Sequence, residues 1–154
     1  PSTFMKDWQG EGSFAPGEIA PFSEEEAFRV YAAIADRYTG FVRRDRAAFR
    51  LKMADYAADD ARAFLLREGE KTVGYCIYYD KGEVYGEEVL SLRAYGPILC
   101  ELQRIADIKP VSAKLPPDAD APGEVLPQNV MLAAADIWQK MKASDRPCFC
   151  VDEY

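Results

Sequence analysis

The chain contains no histidine in 154 residues. That removes Ser-His-Asp and Cys-His nucleophilic catalysis and the usual general base, so any chemistry would rest on carboxylates, tyrosines, cysteines or lysines. Long apolar runs are missing too: nothing approaches the roughly 18–20 residues needed to span a bilayer, and no membrane association is expected. Positive charge is scarce. With 19 basic against 26 acidic residues the net charge is −7, which argues against a general nucleic-acid binder. Cysteine is sparse and scattered, at 76, 100, 148 and 150, without a disulfide-framework spacing. Three of the four sit in apolar contexts, as buried free thiols do, and a reduced, cytoplasmic protein is expected. Cys148 and Cys150 would share one strand face, but a zinc site needs about four ligands, and only Cys76 and Cys100 are left to complete it. No metal is expected.

What is present is the composition of a folded chain, 49% hydrophobic and 12% aromatic, of ordinary single-domain size with room for one substantial core. The chain is organised around residues 87–108, EEVLSLRAYGPILCELQRIADI. Val89, Leu90 and Leu92 form a short apolar run with β propensity. Gly96-Pro97 then punctuates it, with Pro97 suited to the first turn of a helix. Ile98, Leu99, Leu102, Ile105 and Ala106 follow at helical spacing. A strand entering a helix through a glycine turn is a place where free amides and the helix dipole can hold a phosphate.

Residues 1–21 carry Trp8, three glycines and prolines at 1, 16 and 21, and read as an extended arm or strand remnant tied to the body. Pro1-Ser2-Thr3-Phe4 resembles neither a signal peptide nor an initiator end, so residues 1–20 are read as a linker from an upstream domain and 21–154 as the domain itself. Ser23 to Glu26 is a capping box. It opens a helix lined by Ala27, Val30, Tyr31, Ile34 and Tyr38, which Gly40 is expected to end. Asp45 caps a second helix, with Phe49, Met53 and Tyr56 on one face.

Residues 63–66 read as a strand, Glu68-Gly69-Glu70 as its turn, and 72–79, TVGYCIYY, as the strongest strand signal in the chain. Asp80-Lys81-Gly82 makes a hairpin into 84–92. After the central helix, residues 111–115 give another strand and 116–127 an acidic, proline-rich loop. A strand at 130–134, a helix capped by Asp136 and carrying Ile137, Trp138 and Met141, and a strand at 148–151 complete the chain. A sheet with helices packed on its faces satisfies this order.

Two N-terminal helices, then FLLREGEKTVGYCIYY, a hairpin and a strand entering a helix resemble the GNAT acyltransferase fold. GFVRRDRAAFR (40–50), KTVGYCIYY (71–79) and GEEVLSL (86–92) are similar to the second, degenerate GNAT domain of Eis-like N-acetyltransferases. The resemblance covers residues 21–154. It implies an α+β fold: a mixed, largely antiparallel sheet flanked by helices on both faces. It also implies a parent protein whose N-terminal GNAT domain binds acetyl-CoA, while this domain packs on it and helps shape the pocket for a small amine.

Catalytic GNAT domains carry Gln/Arg-x-x-Gly-x-Gly/Ala between strand and helix, and its amides hold the coenzyme A pyrophosphate. Here the matching residues are Arg93-Ala94-Tyr95-Gly96-Pro97-Ile98. Arg93 and Gly96 fit. Pro97 has no N–H to donate, and Ile98 puts a branched side chain where backbone should approach phosphate. No cofactor is therefore expected in this chain itself.

Other candidates follow from the strands and the chain end. Tyr75, Ile77 and Tyr79 share one side of their strand and Cys76 and Tyr78 the other, making Tyr75 and Tyr79 pocket candidates for an amine. Glu87 and Glu88, adjacent in a strand, are expected on opposite faces and so not to act as a carboxylate pair. Glu88 is the candidate contact for a cationic acceptor, against a solvent-facing or edge position. Arg43, Arg44, Arg46 and Arg50 form a basic cluster read as a solvated face or a domain interface. In Eis-type enzymes the terminal carboxylate reaches the first domain's active site, which makes Tyr154 a candidate. The expected function is that of a non-catalytic, C-terminal GNAT-like half of an N-acetyltransferase, with a homo-oligomer compatible with it. A stand-alone ligand-binding or regulatory module, a dimerisation domain, and an active single-domain acyltransferase with an unusual cofactor loop are the other readings.

Overall fold

A computed structural model describes residues 5–38 and 41–126. Seven strands, β1 (Met5–Trp8), β2 (Glu18–Pro21), β3 (Arg62–Glu68), β4 (Lys71–Lys81), β5 (Glu83–Ser91), β6 (Val111–Leu115) and β7 (Glu124–Leu126), form one sheet in the order β2-β3-β4-β5-β6-β1-β7. Every neighbouring pair is antiparallel except β5 and β6, which run parallel. Helices α1 (Glu24–Ala35) and α2 (Arg46–Ala58) cover one face of the sheet, and α3 (Gly96–Ala106) covers the other.

Local chemistry explains most of these elements. Ser23 caps α1 by accepting from the Glu26 amide at 3.4 Å, and Asp45 caps α2 by accepting from the Ala48 amide at 2.7 Å. Each cap satisfies one of the first-turn donors that a helix leaves orphaned. The Glu26 carboxylate is held by Arg67 and Thr72, which ties α1 to the start of the meander. Helix α1 stops at Ala35, with Asp36 as its C-cap. Gly40 therefore does not end it, and Tyr38 lies beyond its last turn. The hairpin between β4 and β5 turns on Gly82, whose φ of +75° suits a residue without Cβ.

Residues 5–21 depart from the expected arm. Strand β1 lies inside the sheet, between β6 and β7, with Trp8 opposite Ala113 and fully buried. Strand β2 pairs with β3 and forms the opposite edge. Residues 5–8 and 18–21 thus belong to the sheet, and the boundary placed after residue 20 is corrected accordingly. The arm's indistinct period has a physical reason: two four-residue strands separated by a glycine-rich crossing are too short to show alternation. The end of the acidic loop also turns out to be strand, as β7. The predicted strands at 130–134 and 148–151, the helix after Asp136, and Tyr154 lie outside the described residues.

Two buried layers result. Against α3 lie Trp8, Val84, Val89, Ala113 and Leu115, with Ile98, Leu99 and Leu102 facing them from the helix. Against α1 and α2 lie Leu65, Tyr75, Ile77 and Leu90, facing Tyr31, Phe49 and Tyr56. The split of β4 into Tyr75 and Ile77 on one side, Cys76 and Tyr78 on the other, is as the sequence predicts.

Candidate functional site

Two places answer to the sequence-predicted residues, one on each face of the sheet. The first is the junction of β5 and α3. After Ser91 the chain makes a side-chain-supported turn, in which Ser91 Oγ accepts from the Arg93 amide at 3.1 Å and donates to the Ala94 carbonyl at 3.2 Å. Tyr95 stands at the helix N-cap, its ring buried in the α3 layer, with no side chain capping the helix. Pro97 follows and offers no donor. The next two amides, of Ile98 and Leu99, both donate to the Tyr95 carbonyl at 3.1 Å. The two amides after the proline are thus engaged by the helix's own first turn.

The arm between β1 and β2 closes this junction from outside. A Cβ added to Gly96 would stand 3.2 Å from the Phe14 ring, and one added to Gly17 would stand 2.7 Å from Pro97 Cβ. Gln103 on α3 holds the arm down by donating to the carbonyls of Gly10 and Gly12, at 3.1 and 2.9 Å. Trp8 Nε1 donates to the Glu11 carbonyl at 2.8 Å, and the Trp8 and Phe14 rings meet edge to face with centroids 5.9 Å apart. Arg93 lies across from Glu68, 3.4 Å away, both more than half exposed. The Ile98 side chain is fully buried in the α3 layer. It therefore does not intrude on a phosphate position, as the sequence suggested; the proline and the overlying arm are what occupy the loop. These residues do not fit a pyrophosphate, whose recognition at a helix start needs several free, outward amides.

The second place is built on a β-bulge in β5. Ile77 lies opposite Glu88, but the next residue of β4, Tyr78, lies opposite Gly86, so Glu87 is the extra residue. Gly86 and Val89 then both face the α3 layer: a Cβ on Gly86 would lie 2.9 Å from Ala113 Cβ and from Val89 Cγ2. Glu87 and Glu88 consequently lie on the same face, that of α1 and α2. This overturns the expectation of opposite faces, which strict alternation gives and a bulge cancels. They still do not pair with each other. Glu87 meets Lys114 at 3.2 Å, whereas Glu88 turns under the helices.

Glu88 is 5% exposed, neither solvent-facing nor at an edge. Its Oε1 accepts from Arg44 Nη1 at 2.7 Å and, more distantly, from the Tyr56 hydroxyl at 3.4 Å. Its Oε2 accepts from the Tyr75 hydroxyl at 2.7 Å. The Arg44 guanidinium lies over the Tyr31 ring, 5.1 Å from its centroid, within cation–π range. Arg44 comes from the connection between α1 and α2, where the Tyr31 hydroxyl donates to the Val42 carbonyl. Burial alone would lower the guanidinium's pKa, and the Glu88 charge and hydrogen bond more than offset it. Burial first, and then the Glu88 charge, raise both the Tyr56 and Tyr75 hydroxyls above the ordinary tyrosine range. Both therefore remain donors at neutral pH.

The remaining candidates separate from this cluster. Tyr79 is half-buried at the rim of the same face, pushed up to about 12 by burial and then by Asp59, with the Lys81 ammonium 5.4 Å above its ring. Of the arginine cluster, Arg43 meets Asp36 and Arg50 meets Glu24 on the surface, as a solvated face would. Arg44 does not: its side chain is 6% exposed. The sequence offers no sign that separates Arg44 from Arg43, because both follow Phe41-Val42 in a connection without a period. Burial and then Glu88 push the Cys76 thiol up, away from thiolate chemistry. Among the described residues no group of three His, Cys, Asp or Glu side chains could hold a metal ion. No described helix is long and apolar enough to cross a membrane.

No family model matches the chain, and no curated protein matches it. Solved structures do. A GCN5-related N-acetyltransferase from Anabaena variabilis shares 12% identity over 80% of this chain and 38% of its own, with a TM-score of 0.58. A conserved protein of unknown function from Enterococcus faecalis, titled a probable N-acyltransferase, shares 18% over 73% and 33%, with a TM-score of 0.55. Eis1 from Mycobacterium abscessus shares 16% over 76% and 35%, at 0.50. The chain spans about a third of the length of these three proteins. At such identities the likeness is one of fold, and it agrees with the strand order and helix placement described above. The chain has the fold of the GCN5-related N-acetyltransferases, the GNAT fold.

Proposed function

We propose that this chain is the non-catalytic, C-terminal GNAT-like half of an acetyl-CoA-dependent N-acetyltransferase. It packs on an upstream catalytic domain and helps wall the pocket for a small amine. One observation carries the reading: the strand-to-helix junction where a GNAT fold would take pyrophosphate holds Pro97, has its next two amides turned onto Tyr95, and lies under Phe14 and Gly17. No step through acetyl-CoA is derived for these residues, because they do not fit it. The three solved structures named above are each about twice as long as this chain, which gives such a domain a place to be.

Acetyl-CoA titration by calorimetry, on this chain and on a longer protein that contains it, tests the reading. Heat of binding with the longer protein and none with this chain is the expected result. Tight binding to this chain alone would overturn it and make the Arg93–Ile98 loop a cofactor site despite Pro97.

A further inference from the structure

The Glu88 cluster is not explained by stability. Position 88 faces Ile77 across the strands and lies in a layer of Leu65, Tyr75, Ile77 and Leu90, where an aliphatic residue would pack. Exchanging a buried ion pair for apolar residues of similar volume is often neutral or stabilising. A charge at this position calls for another reason.

The parts divide into a rigid receptor and a tethered occupant. Glu88 and Tyr75 stand on central strands, and Tyr31 and Tyr56 on the helices that cover them. Two tyrosine hydroxyls orient the carboxylate and a tyrosine ring offers its face. Together these supply what a planar cation needs: a charge-assisted hydrogen bond, a fixed acceptor and a π surface. The occupant, Arg44, belongs to neither a strand nor a helix. In the same connection Arg43 is bound at the surface to the exposed Asp36, Asp45 caps the first turn of α2, and the Val42 carbonyl accepts from the Tyr31 hydroxyl.

We propose that Glu88, with Tyr31, Tyr56 and Tyr75, is a recognition site for an alkylguanidinium ligand, which the chain's own Arg44 occupies in cis and from which such a ligand displaces it. A guanidinium is favoured over an ammonium because its planar fork suits the carboxylate while its carbon lies over the Tyr31 ring. It is also more weakly hydrated, so a compact, strongly hydrated ammonium is harder to bring into the same buried contacts. The displaced connection, residues 41–45, swings out with Arg44, so binding is coupled to the surface between α1 and α2. The inference does not depend on coenzyme A or on an upstream domain, and its failure leaves the acetyl-CoA test untouched.

Methylguanidinium is the probe, with methylammonium as the control, titrated by calorimetry into the wild-type chain, Arg44→Ala, and Arg44→Ala with Glu88→Gln. Removing the tethered competitor is expected to tighten methylguanidinium binding by at least about tenfold, and adding Glu88→Gln to abolish it. Methylammonium binds more weakly throughout. In the wild-type chain, millimolar methylguanidinium is expected to speed hydrogen exchange of the amides of residues 41–45 and leave those of α3 unchanged. Binding to Arg44→Ala no tighter than to wild type, or binding that survives Glu88→Gln, would overturn the proposal. Should Arg44→Ala fail to fold, the wild-type exchange decides alone: unaltered exchange at 41–45 makes Arg44–Glu88 a fixed structural pair.

Discussion

Towards α3 the sheet presents Val84, Val89, Ala113 and Leu115, and the helix answers with Ile98, Leu99 and Leu102; this layer is held by shape and apolar area. Towards α1 and α2 it presents Tyr75, Ile77 and Leu90 with a carboxylate among them, answered by a guanidinium from a connection and hydroxyls from α2 and β4. The same two strands, β4 and β5, supply both. What separates the faces is one extra residue. Without the bulge at Glu87, Val84 and Gly86 would turn to the helix-pair side and Tyr85 would be driven into the α3 layer. The bulge thus lets one strand serve an apolar scaffold and a buried charged cluster, and it sets Glu87 and Glu88 on a single side.

The comparison can be broken most sharply at its charged side. Arg44→Ala leaves the Glu88 carboxylate buried and unpaired and is expected to cost about 3–5 kcal/mol in denaturant unfolding. Replacing the whole cluster with apolar residues, as Arg44→Met, Glu88→Leu and Tyr75→Phe together, is expected to recover most of that loss. A triple variant as unstable as Arg44→Ala would show that the ion pair stabilises the fold after all.

The apolar side is tested by volume. Gly86→Ala puts a methyl 2.9 Å from Ala113 Cβ and Val89 Cγ2, and such overpacking costs about 1–3 kcal/mol. The denaturant midpoint should fall while the charged cluster keeps its hydrogen-exchange protection.

The smallest effect is one of pH. An unfolded tyrosine ionises near about 10, whereas burial and then Glu88 hold Tyr56 and Tyr75 above that range, and burial raises Tyr79 and Tyr85 to about 12. These groups are raised on folding, so their contribution is fully present below pH 10 and is lost as pH climbs through the folded values. Melting temperature should therefore drop from about pH 10 upward. Tyr78 on the α3 side moves in the same direction. Tyr75→Phe removes one group and should flatten the decline; an unchanged slope would count against the described burial of the hydroxyl.

How legible this was depended on how local each signal is. Ser23 and Asp45 announce their helices by capping chemistry. The run 72–79 announces β4 by alternation, and Ile98, Leu99 and Leu102 announce α3 by period; all four readings agree with the structure. A sheet with helices on its faces followed from their order, and the α+β GNAT-like class from the resemblance. Strands β1 and β2 were not legible, because four residues carry too little pattern and their pairing partners lie far along the chain. The bulge was not legible either, since Gly86-Glu87-Glu88-Val89 reads as plain alternation until Tyr78 is known to face Gly86. Glu88 and Tyr75, singled out as pocket candidates, meet in a buried hydrogen-bonded cluster, and Tyr79 does not join them. The partner that closes the cluster, Arg44, was hidden among surface arginines that resemble it in everything but position.

Strand β1 leaves the ribosome before any other element described here, yet it pairs with β6, about a hundred residues later, and with β7 beyond that. Until those strands exist, Trp8 and Met5 have no sheet to join and the β6 edge has no neighbour on that side. The closing of this half of the sheet is thus a long-range event that the early helices cannot hasten, and folding of this kind is slow and vulnerable to pairing with the wrong chain. A chain with this topology gains from any device that shields its first strand while synthesis continues.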